Sequence, residues 1–279
     1  MARIGSLSRM VAEAIKPGMK IAFGGGAMFL KPMEVVREII RQDIKGLHAI
    51  TLIGDLDIDL LAGVGALQSL HASYVGLPMI GMARNFRRAI EKDHSLEFFE
   101  WTEMSMIRAY QAGALCVPKI AIRSLLGSDL VKVRKDFTEV TIDNKPYVEV
   151  PALNPDIAIV HSYAADNNGN IFYPSKVVLE DFSILPALCS KNLFISVEKL
   201  ISNAEGRELI EKGHSVMFSC LDVDYIVKTP RGAYPTGFPP LYAGEIGHIM
   251  TYSGLSNYPE GFQTYLQEHV FNKPIKEEK

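Results

Sequence analysis

The pattern of apolar and polar positions along the chain switches repeatedly between helical and extended periods. Apolar residues recur at helical spacing after Ser6, after Pro32 and over 103–115, which predicts three helices. Short apolar runs lie between the helical and polar stretches. They predict strands at 19–23, 49–54, 72–77, 119–122, 156–163, 193–197 and 224–229.

Most of these apolar runs do not alternate with polar residues, which is typical of strands that are covered on both faces. Helical stretches lie between several of them, an order that favours a parallel sheet. We therefore predict an α/β fold with an open, mostly parallel sheet and helices on both faces. The polar, β-prone stretch at about 132–150 is interpreted as an inserted hairpin, and residues 1–279 as a single domain.

Three adjacent glycines, Gly24, Gly25 and Gly26, directly follow the strand predicted at 19–23. Glycine tolerates positive φ and leaves backbone N–H groups open to close approach. Ligands of open α/β sheets bind outside the carboxyl ends of the strands, which is where these glycines are expected. The alternative interpretation is a tight corner between a strand and a helix. This stretch alone does not decide between a binding loop and a corner.

Composition narrows the classes of partner. The chain has 279 residues, is 48% hydrophobic and carries a formal net charge of −3. Without a dense Lys/Arg tract, neither nucleic acid nor an anionic membrane is an expected partner. The first residues, 1–18, contain no apolar run of signal-peptide type, so we expect a cytoplasmic protein. The widely spaced Cys116, Cys189 and Cys220 are expected to be reduced thiols in the core.

Several familiar site motifs are absent from the sequence. The glycines do not form a dinucleotide-binding loop, because Phe29 stands where the last glycine is needed, and no P-loop follows. Asp55, Asp57 and Asp59 have EF-hand spacing but lack the later glycine and glutamate, so we interpret them as charges on a surface loop. No histidine pair has ligand spacing, and we expect no metal site. His161 either faces the cleft or is a structural histidine.

Three segments together carry a resemblance to a known family: 21–32, 97–130 and 151–173. In the first, Gly24, Gly25 and Pro32 hold the places of the signature of the family I coenzyme A transferase α subunit. Gly26 replaces the usual aromatic residue of that signature, and Leu30 replaces the commoner glycine.

The remaining segments extend this resemblance to nearly the whole chain. Lys31 before Pro32, with the helix that follows, is most similar to the α subunit of glutaconate CoA-transferase. The stretch PDIAIVHSYAADNNGN resembles a strand and turn of the family, with Asp166 and Gly169 in the turn. Motifs in the right order are more specific than any one of them.

The resemblance implies a chemistry and a partner. In these transferases a glutamate carboxylate attacks the acyl-CoA thioester, and a glutamyl-CoA thioester carries CoA to a carboxylic acid. In two-chain members this glutamate belongs to the β subunit, so we expect a heteromer of α2β2 or larger composition. The coenzyme A thioester is then a substrate, with no permanently bound cofactor. Gly24, Gly25 and Gly26 are expected to make room for the thioester and to offer it N–H donors.

Glu103 departs from the transferase pattern. It lies fifteen residues before Pro118, where family transferases carry a glutamine. A glutamate there resembles the α subunit of steroid ring-opening CoA hydrolases, in which it is the catalytic base. The alternative is an exposed acid favoured by the dipole at a helix start.

A second group of residues is assigned to the same cleft. Arg123 begins the segment that contains Gly127 and Ser128. We predict that it holds a substrate carboxylate or a CoA phosphate in a bidentate contact.

Three classes of function follow from the sequence. The first is one chain of an acyl-CoA enzyme, either a CoA-transferase or a hydrolase that uses Glu103 as general base. The second is a sugar-phosphate isomerase-like enzyme, since one α/β architecture serves many chemistries. The third is a non-catalytic ligand-binding domain. The matched motifs favour the first class, with transfer ahead of hydrolysis.

Overall fold

The computed structural model of the chain describes residues 2–174 and 181–272. Its strands over these residues are β1 (Arg3–Gly5), β2 (Lys20–Phe23), β3 (Leu47–Gly54), β4 (Leu67–Val75), β5 (Glu97–Glu100), β6 (Lys119–Ile122), β7 (Thr138–Ile142), β8 (Lys145–Pro151), β9 (Ile157–Asp166), β10 (Ile171–Tyr173), β11 (Leu193–Ile201), β12 (Ser215–Phe218) and β13 (Tyr225–Lys228). Its helices are α1 (Leu7–Ala14), α2 (Met33–Arg41), α3 (Leu56–Gly63), α4 (Arg84–Glu91), α5 (Glu103–Ala114), α6 (Leu130–Val133), α7 (Asp181–Leu188), α8 (Asn203–Glu211), α9 (Ile246–Leu255) and α10 (Pro259–Leu266), with a π-helical turn at Gln267–Phe271.

A large sheet organises these elements. Its main path has the order β1-β13-β11-β9-β2-β3-β4-β5, and each neighbouring pair along it is parallel. β10 pairs antiparallel with both β9 and β12. The predicted open, mostly parallel sheet is therefore confirmed. Parallel pairing brings the carboxyl ends of the main-path strands to one edge of the sheet, here called the carboxyl edge.

Consecutive residues of the central strands belong alternately to two hydrophobic cores. In β9, Ile157 and Ile159 pack with side chains of α1, α2 and α3, on one face of the sheet. Ala158 and Val160 pack on the other face, in a core that includes side chains of α5. Each strand is thus buried on both faces, which is why its apolar run does not alternate with polar residues.

A second, smaller sheet holds the strands β6, β8 and β7 in antiparallel order. β7 and β8 form a hairpin whose turn residues, Asp143 and Asn144, both have positive φ, as two-residue hairpin turns require. The apolar run 119–122 forms β6 of this sheet and does not belong to the large one. A run of only four residues can pair with either sheet, and its periodicity does not distinguish them.

The helix over 103–115 is confirmed as α5, Glu103–Ala114. Its start is defined by a capping box: the hydroxyl of Thr102 accepts the N–H of Ser105 at 3.2 Å, and the Ser105 hydroxyl accepts the N–H of Thr102 at 3.1 Å. Among the helices of the described residues, none is both long and apolar enough to cross a bilayer.

The expectation of three core thiols is wrong for two of them. Cys189 is buried, Cys220 is half-buried and Cys116 is exposed, and all three are free. Cys116 follows the end of α5 in a turn with a φ of 56°, so its apolar sequence neighbours do not place it in the core.

The interpretation of Asp55, Asp57 and Asp59 as surface charges is also wrong, because all three are fully buried. Asp59 accepts the N–H of Phe86 at 2.8 Å and the hydroxyl of Tyr252 at 2.5 Å. Buried carboxylates persist where such donors replace water. Here the donors come from α4 and α9, far along the chain.

Asp55 and Asp57 form a buried charge cluster with Lys31. The Lys31 ammonium lies 3.0 Å from Asp57 Oδ2 and donates to the carbonyl of Ile53 at 2.6 Å. Asp55 Oδ2 accepts the N–H of Met28 at 2.9 Å, so the cluster supports the loop that follows the glycines. One ammonium cannot balance two carboxylates.

Burial raises the pKa of Asp55 from 3.8 to about 7, and the nearby charge of Asp57 adds to the rise. Lys31 and the Met28 N–H oppose it. Near neutral pH, Asp55 therefore titrates between a neutral acid, which leaves the cluster without net charge, and a carboxylate that leaves it negative.

Asp55→Asn tests this assignment. The unfolded chain releases the Asp55 proton near 3.8 and the folded chain keeps it to about pH 7, so the free energy of unfolding falls by about 1.4 kcal/mol per pH unit in that interval. Asparagine has the shape of the neutral acid and does not titrate. Its free energy of unfolding relative to the unmodified chain should rise from about pH 4 to about pH 7 and then level off. Urea unfolding across this range measures the difference, and a pH-independent difference would contradict the assignment.

Candidate functional site

Two of the predicted site segments lie on the carboxyl edge of the large sheet. Gly24 directly follows β2, and Glu103 lies three residues after the end of β5. β5 is the third strand from β2 in the sheet, which corresponds to about 14 Å at the usual spacing of neighbouring strands. An extended ligand such as an acyl thioester of CoA is long enough to span this interval.

The glycine loop, defined here as residues 24–32, has an unusual backbone. Gly25 has a φ of 72°, and three further residues of the loop, Ala27, Met28 and Leu30, also have positive φ. A β-carbon on residue 25 would lie 2.5 Å from the carbonyl carbon and oxygen of Leu30. Only glycine fits there, because backbone atoms cannot move aside as a flexible side chain does.

The other two glycines are less constrained. A β-carbon on Gly24 would meet the Ser183 hydroxyl at 3.0 Å, which is tight. On Gly26 it would meet Ile53 at 3.4 Å and the ring of Phe182 at 3.5 Å, which are ordinary contacts. The need for glycine is therefore strongest at position 25.

The three glycine N–H groups are all engaged within the chain. Gly24 donates to the carbonyl of Ile159 at 2.9 Å, Gly25 to the Ser183 hydroxyl at 3.2 Å and Gly26 to the carbonyl of Phe29 at 3.0 Å. These bonds close the corner between β2 and α2. A role of these donors toward a thioester stays a prediction.

The N–H of Ala27 differs from those of the glycines. Within the described part of the chain it has no hydrogen-bond acceptor, and Ala27 is half-buried. Sequence reasoning missed this donor because alanine carries no signal of its own and the glycines beside it drew attention. This N–H is free to bind a ligand oxygen.

Glu103 is the first residue of α5 and is exposed. Its carboxylate makes no hydrogen bond or ion pair to another described residue. Since Thr102 and Ser105 cap the helix, Glu103 is not needed as the capping acid. The helix dipole favours an acid at this position, and the same position directs a free carboxylate to the carboxyl edge.

The residues after β4 line a cavity of about 550 Å³. β4 pairs with β5, so the cavity lies one strand from the strand that leads to Glu103. Its lining includes Met79 and Met82, whose exposed fractions of 88% and 50% are high for apolar side chains. Methionine side chains adapt to ligands of different shape.

Arg123, Gly127 and Ser128 lie on the turns after β6, a strand of the small sheet. Arg123 is exposed, and Gly127 has a φ of 79° with open space around it. The Ser128 hydroxyl accepts the N–H of Leu130 at 3.0 Å. Among the described contacts, none joins Arg123 to Glu103 or to the glycine loop, so its role in the cleft stays a prediction.

His161 is a structural histidine, one of the two alternatives that the sequence left open. It is fully buried in β9, with its ring nitrogens 2.9 Å from the Ser196 hydroxyl and 2.8 Å from Glu198 Oε1. Burial would raise the pKa of Glu198, but hydrogen bonds from His161, Tyr242 and the Arg231 N–H hold it below its ordinary value. Sequence reasoning did not single out Glu198, although it directly follows the apolar run 193–197 at the carboxyl edge.

The Asp166 turn is as the sequence predicts. Asp166 Oδ1 accepts the N–H groups of Asn168 and Asn170 at 3.0 and 2.9 Å, and Gly169 has a φ of 96°. This turn joins β9 to β10 at the carboxyl edge.

Gly25→Ala and Gly26→Ala form a matched pair that tests the geometry of the glycine loop. We expect Gly25→Ala to lower the free energy of unfolding by about 2 kcal/mol or more, because the added carbon meets the Leu30 carbonyl at positive φ. Gly26→Ala should change it by less than about 0.5 kcal/mol. Urea unfolding of both variants measures the two effects, and equal losses would show that this loop geometry is wrong.

The chain is similar to proteins of one family. Residues 4–217 match the family model described as Coenzyme A transferase. An uncharacterized protein of Archaeoglobus fulgidus is 30% identical over 270 residues, which are 95% of this chain and 59% of that protein. This chain therefore spans less than two thirds of that relative's length.

Other relatives are matched over most of their length. The α subunit of 3-oxoadipate CoA-transferase from Pseudomonas knackmussii is 26% identical, over 97% of this chain and 94% of that protein. The cholesterol ring-cleaving hydrolase IpdA subunit of Rhodococcus jostii is 25% identical, over 95% of this chain and 90% of that protein.

A solved structure shows the same fold. The crystal structure of glutaconate coenzyme A-transferase from Acidaminococcus fermentans superposes with a TM-score of 0.89 at 25% sequence identity, covering 98% of this chain and 90% of that one. The similarity thus extends beyond residue 217 and includes nearly every element on the carboxyl edge. On the family match and this shared architecture, the chain belongs to the coenzyme A transferase family.

Proposed function

We propose that this chain is the α-type subunit of a heteromeric acyl-CoA enzyme that moves CoA between carboxylic acids. The nucleophile is a glutamate on a β-type partner of the same family, and the assembly is α2β2 or larger. The observation that carries the proposal is the carboxyl edge: the glycine loop and the free carboxylate of Glu103 lie on it, in a chain of the coenzyme A transferase family. The substrates are an acyl-CoA and a free carboxylic acid.

The proposed reaction is a double exchange at the glutamate. Its carboxylate attacks the thioester carbonyl, which gives a mixed anhydride and releases the CoA thiolate. The thiolate attacks the glutamyl carbonyl, which gives the glutamyl-CoA thioester and releases the first carboxylate. The second acid then reverses both steps and leaves as the new acyl-CoA. No water and no oxidant are consumed.

This chain contributes binding and charge stabilisation to these steps. The Ala27 N–H, which has no acceptor among the described residues, is placed to donate to the oxyanion that forms at the thioester carbonyl. The acyl group lies in the cavity after β4, beside the strand that leads to Glu103. Met79 and Met82 cover it there and exclude water.

Glu103 supports a second candidate, hydrolysis. A free, exposed carboxylate at the edge of the site is able to take a proton from water or substrate as a general base. The similar chain from Rhodococcus jostii is named as belonging to a ring-cleaving hydrolase. The transferase mechanism needs no general base, so the two candidates assign opposite value to this carboxylate.

Glu103→Gln in the assembled complex separates the two candidates. If Glu103 is a general base, the rate should fall by about a hundredfold or more while substrate binding is kept. If the chain serves a transferase, glutamine removes a charge that repels an acidic acyl group, and the rate should be kept or rise. Steady-state turnover of a dicarboxylic acyl-CoA gives the sign.

The control for this substitution is Glu97→Gln. Glu97 is exposed at the amino end of β5, the strand that leads to Glu103, and so lies away from the carboxyl edge. The rate should not change in this variant. Borohydride trapping adds an independent readout, since only the transferase route leaves a modified glutamate and it should be on the partner chain. A CoA adduct mapped to Glu103 itself would contradict both candidates.

The proposal also predicts that the chain does not transfer CoA alone. Its purified form should show negligible exchange of CoA between acids, because the proposed nucleophile is on the partner, and addition of a β-type chain should restore exchange. An exchange assay on a preparation shown by mass spectrometry to lack the partner measures this. Appreciable turnover in that preparation would rule out the proposed division of labour.

A further inference from the structure

Arg231 has a backbone conformation that is uncommon for a residue with a side chain. Its φ is 54°, in the left-handed region, and its N–H donates to Glu198 Oε2 at 2.6 Å. Such conformations persist where the surroundings hold them, and they concentrate at functional sites. Here the surrounding group is a largely buried carboxylate on the neighbouring strand β11.

The same carboxylate also holds the tyrosine against which Arg231 lies. The Tyr242 hydroxyl donates to Glu198 Oε1 at 2.5 Å, and His161 approaches that oxygen at 2.8 Å. The Arg231 guanidinium carbon lies 5.1 Å from the centre of the Tyr242 ring and 5.3 Å from that of Tyr234. Two ring faces and one backbone hydrogen bond therefore fix the direction of this side chain.

The guanidinium nevertheless has no anionic partner. Arg231 is exposed, and within residues 2–174 and 181–272 no carboxylate pairs with it. Other arginines held in place in this fold are paired: Arg37 and Arg41 with Glu34, and Arg134 with Asp136. A guanidinium that is oriented but unpaired presents its donors to a ligand.

The loop that carries Arg231 also forms part of the candidate site. It follows β13 at the carboxyl edge, and its Gly237 exchanges hydrogen bonds with the glycine loop: Leu30 donates to the Gly237 carbonyl at 2.8 Å, and Gly237 donates to the Met28 carbonyl at 2.9 Å. β13 is three strands from β2, on the side opposite β5. Arg231 and Glu103 thus lie on either side of the glycine loop.

We propose that Arg231 binds an anionic oxygen group of the substrate, a phosphate or a carboxylate, and that Glu198 is the positioning residue that holds it in place. A planar guanidinium fits both anions in a bidentate contact. The inference rests on the proposed function, because an acyl-CoA and its acceptor acid supply both groups: phosphates on the CoA and a carboxylate on the acid.

Binding measurements on the full chain with its partner test the proposal. The probes are CoA, 3′-dephospho-CoA and glutarate, each titrated calorimetrically into the unmodified complex, Arg231→Met and the control Arg207→Met. Arg207 is exposed on α8 and forms no ion pair with another described residue, so its loss removes the same charge elsewhere. We expect Arg231→Met to weaken at least one probe by about tenfold to a hundredfold, and Arg207→Met to leave all of them unchanged.

The pattern across the probes identifies the anion. If CoA weakens while dephospho-CoA already binds the unmodified complex poorly, Arg231 binds the 3′-phosphate. If both CoA forms weaken equally, it binds the diphosphate, and if only glutarate weakens, it binds the carboxylate of the acid. Unchanged affinity for all three probes in Arg231→Met overturns the inference, and so does an equal loss in Arg207→Met.

Glu198→Gln tests the positioning role. It should weaken the same probe as Arg231→Met, yet have no further effect when added to Arg231→Met, because its influence on binding acts through that side chain. A merely structural role would give additive losses. Should Glu198→Gln fail to fold, Tyr242→Phe removes one hydrogen bond to the same carboxylate and is judged by the same non-additivity. Additive losses in either variant would leave Glu198 without the proposed role.

The outcome also separates this inference from the proposed function. If the unmodified complex binds CoA and exchanges it between acids, and Arg231→Met does so with the same affinities, only the inference is wrong. If the unmodified complex binds none of the three probes, the proposed function and the inference are both wrong.

Discussion

The close approach of the Leu30 carbonyl to residue 25 is the constraint on which the rest of the site depends. With the carbonyl 2.5 Å from the place of a β-carbon, the chain turns back on itself within a few residues of β2. This turn lets Leu30 and Met28 bond to Gly237 and lets the Met28 N–H reach Asp55. The glycine loop is therefore the point at which the loops from three strands of the carboxyl edge meet.

Two buried carboxylates hold these loops, and both are expensive to keep away from water. Asp55, with Lys31 and Asp57 beside it, supports the glycine loop from the end of β3. Glu198 supports the loop after β13 through Arg231 and Tyr242. Their difference is instructive: Glu198 has enough donors to stay ionised, whereas Asp55 has too few and its pKa rises.

The carboxyl edge combines rigid and open parts. The two carboxylates and most of the glycine loop are enclosed, but Glu103, Arg231 and the methionines after β4 are exposed. Exposed apolar and unpaired charged side chains on one edge are typical of a surface that meets a ligand or another chain. Such a surface agrees with half of an active site that a partner completes.

The sequence by itself determined the local features: the parallel strands, the helix over 103–115, the turn at Asp166 and the glycines after β2. Each depends on the periodicity or backbone preference of a few adjacent residues, which the sequence displays directly. It also placed Glu103 on the carboxyl edge, because the end of a strand and the start of a helix are both local signals.

Only the tertiary structure decided which polar residues are buried and what they bind. Asp59 is bonded to Tyr252, 193 positions away, and Glu198 to Arg231, 33 positions away. Neither partner can be identified from the pattern around either residue, so the acids after β3 resemble surface charges and Arg231 resembles any other loop arginine. The short run 119–122 was ambiguous for the same reason, since a strand's partner is set by contacts between distant segments and not by its own four residues.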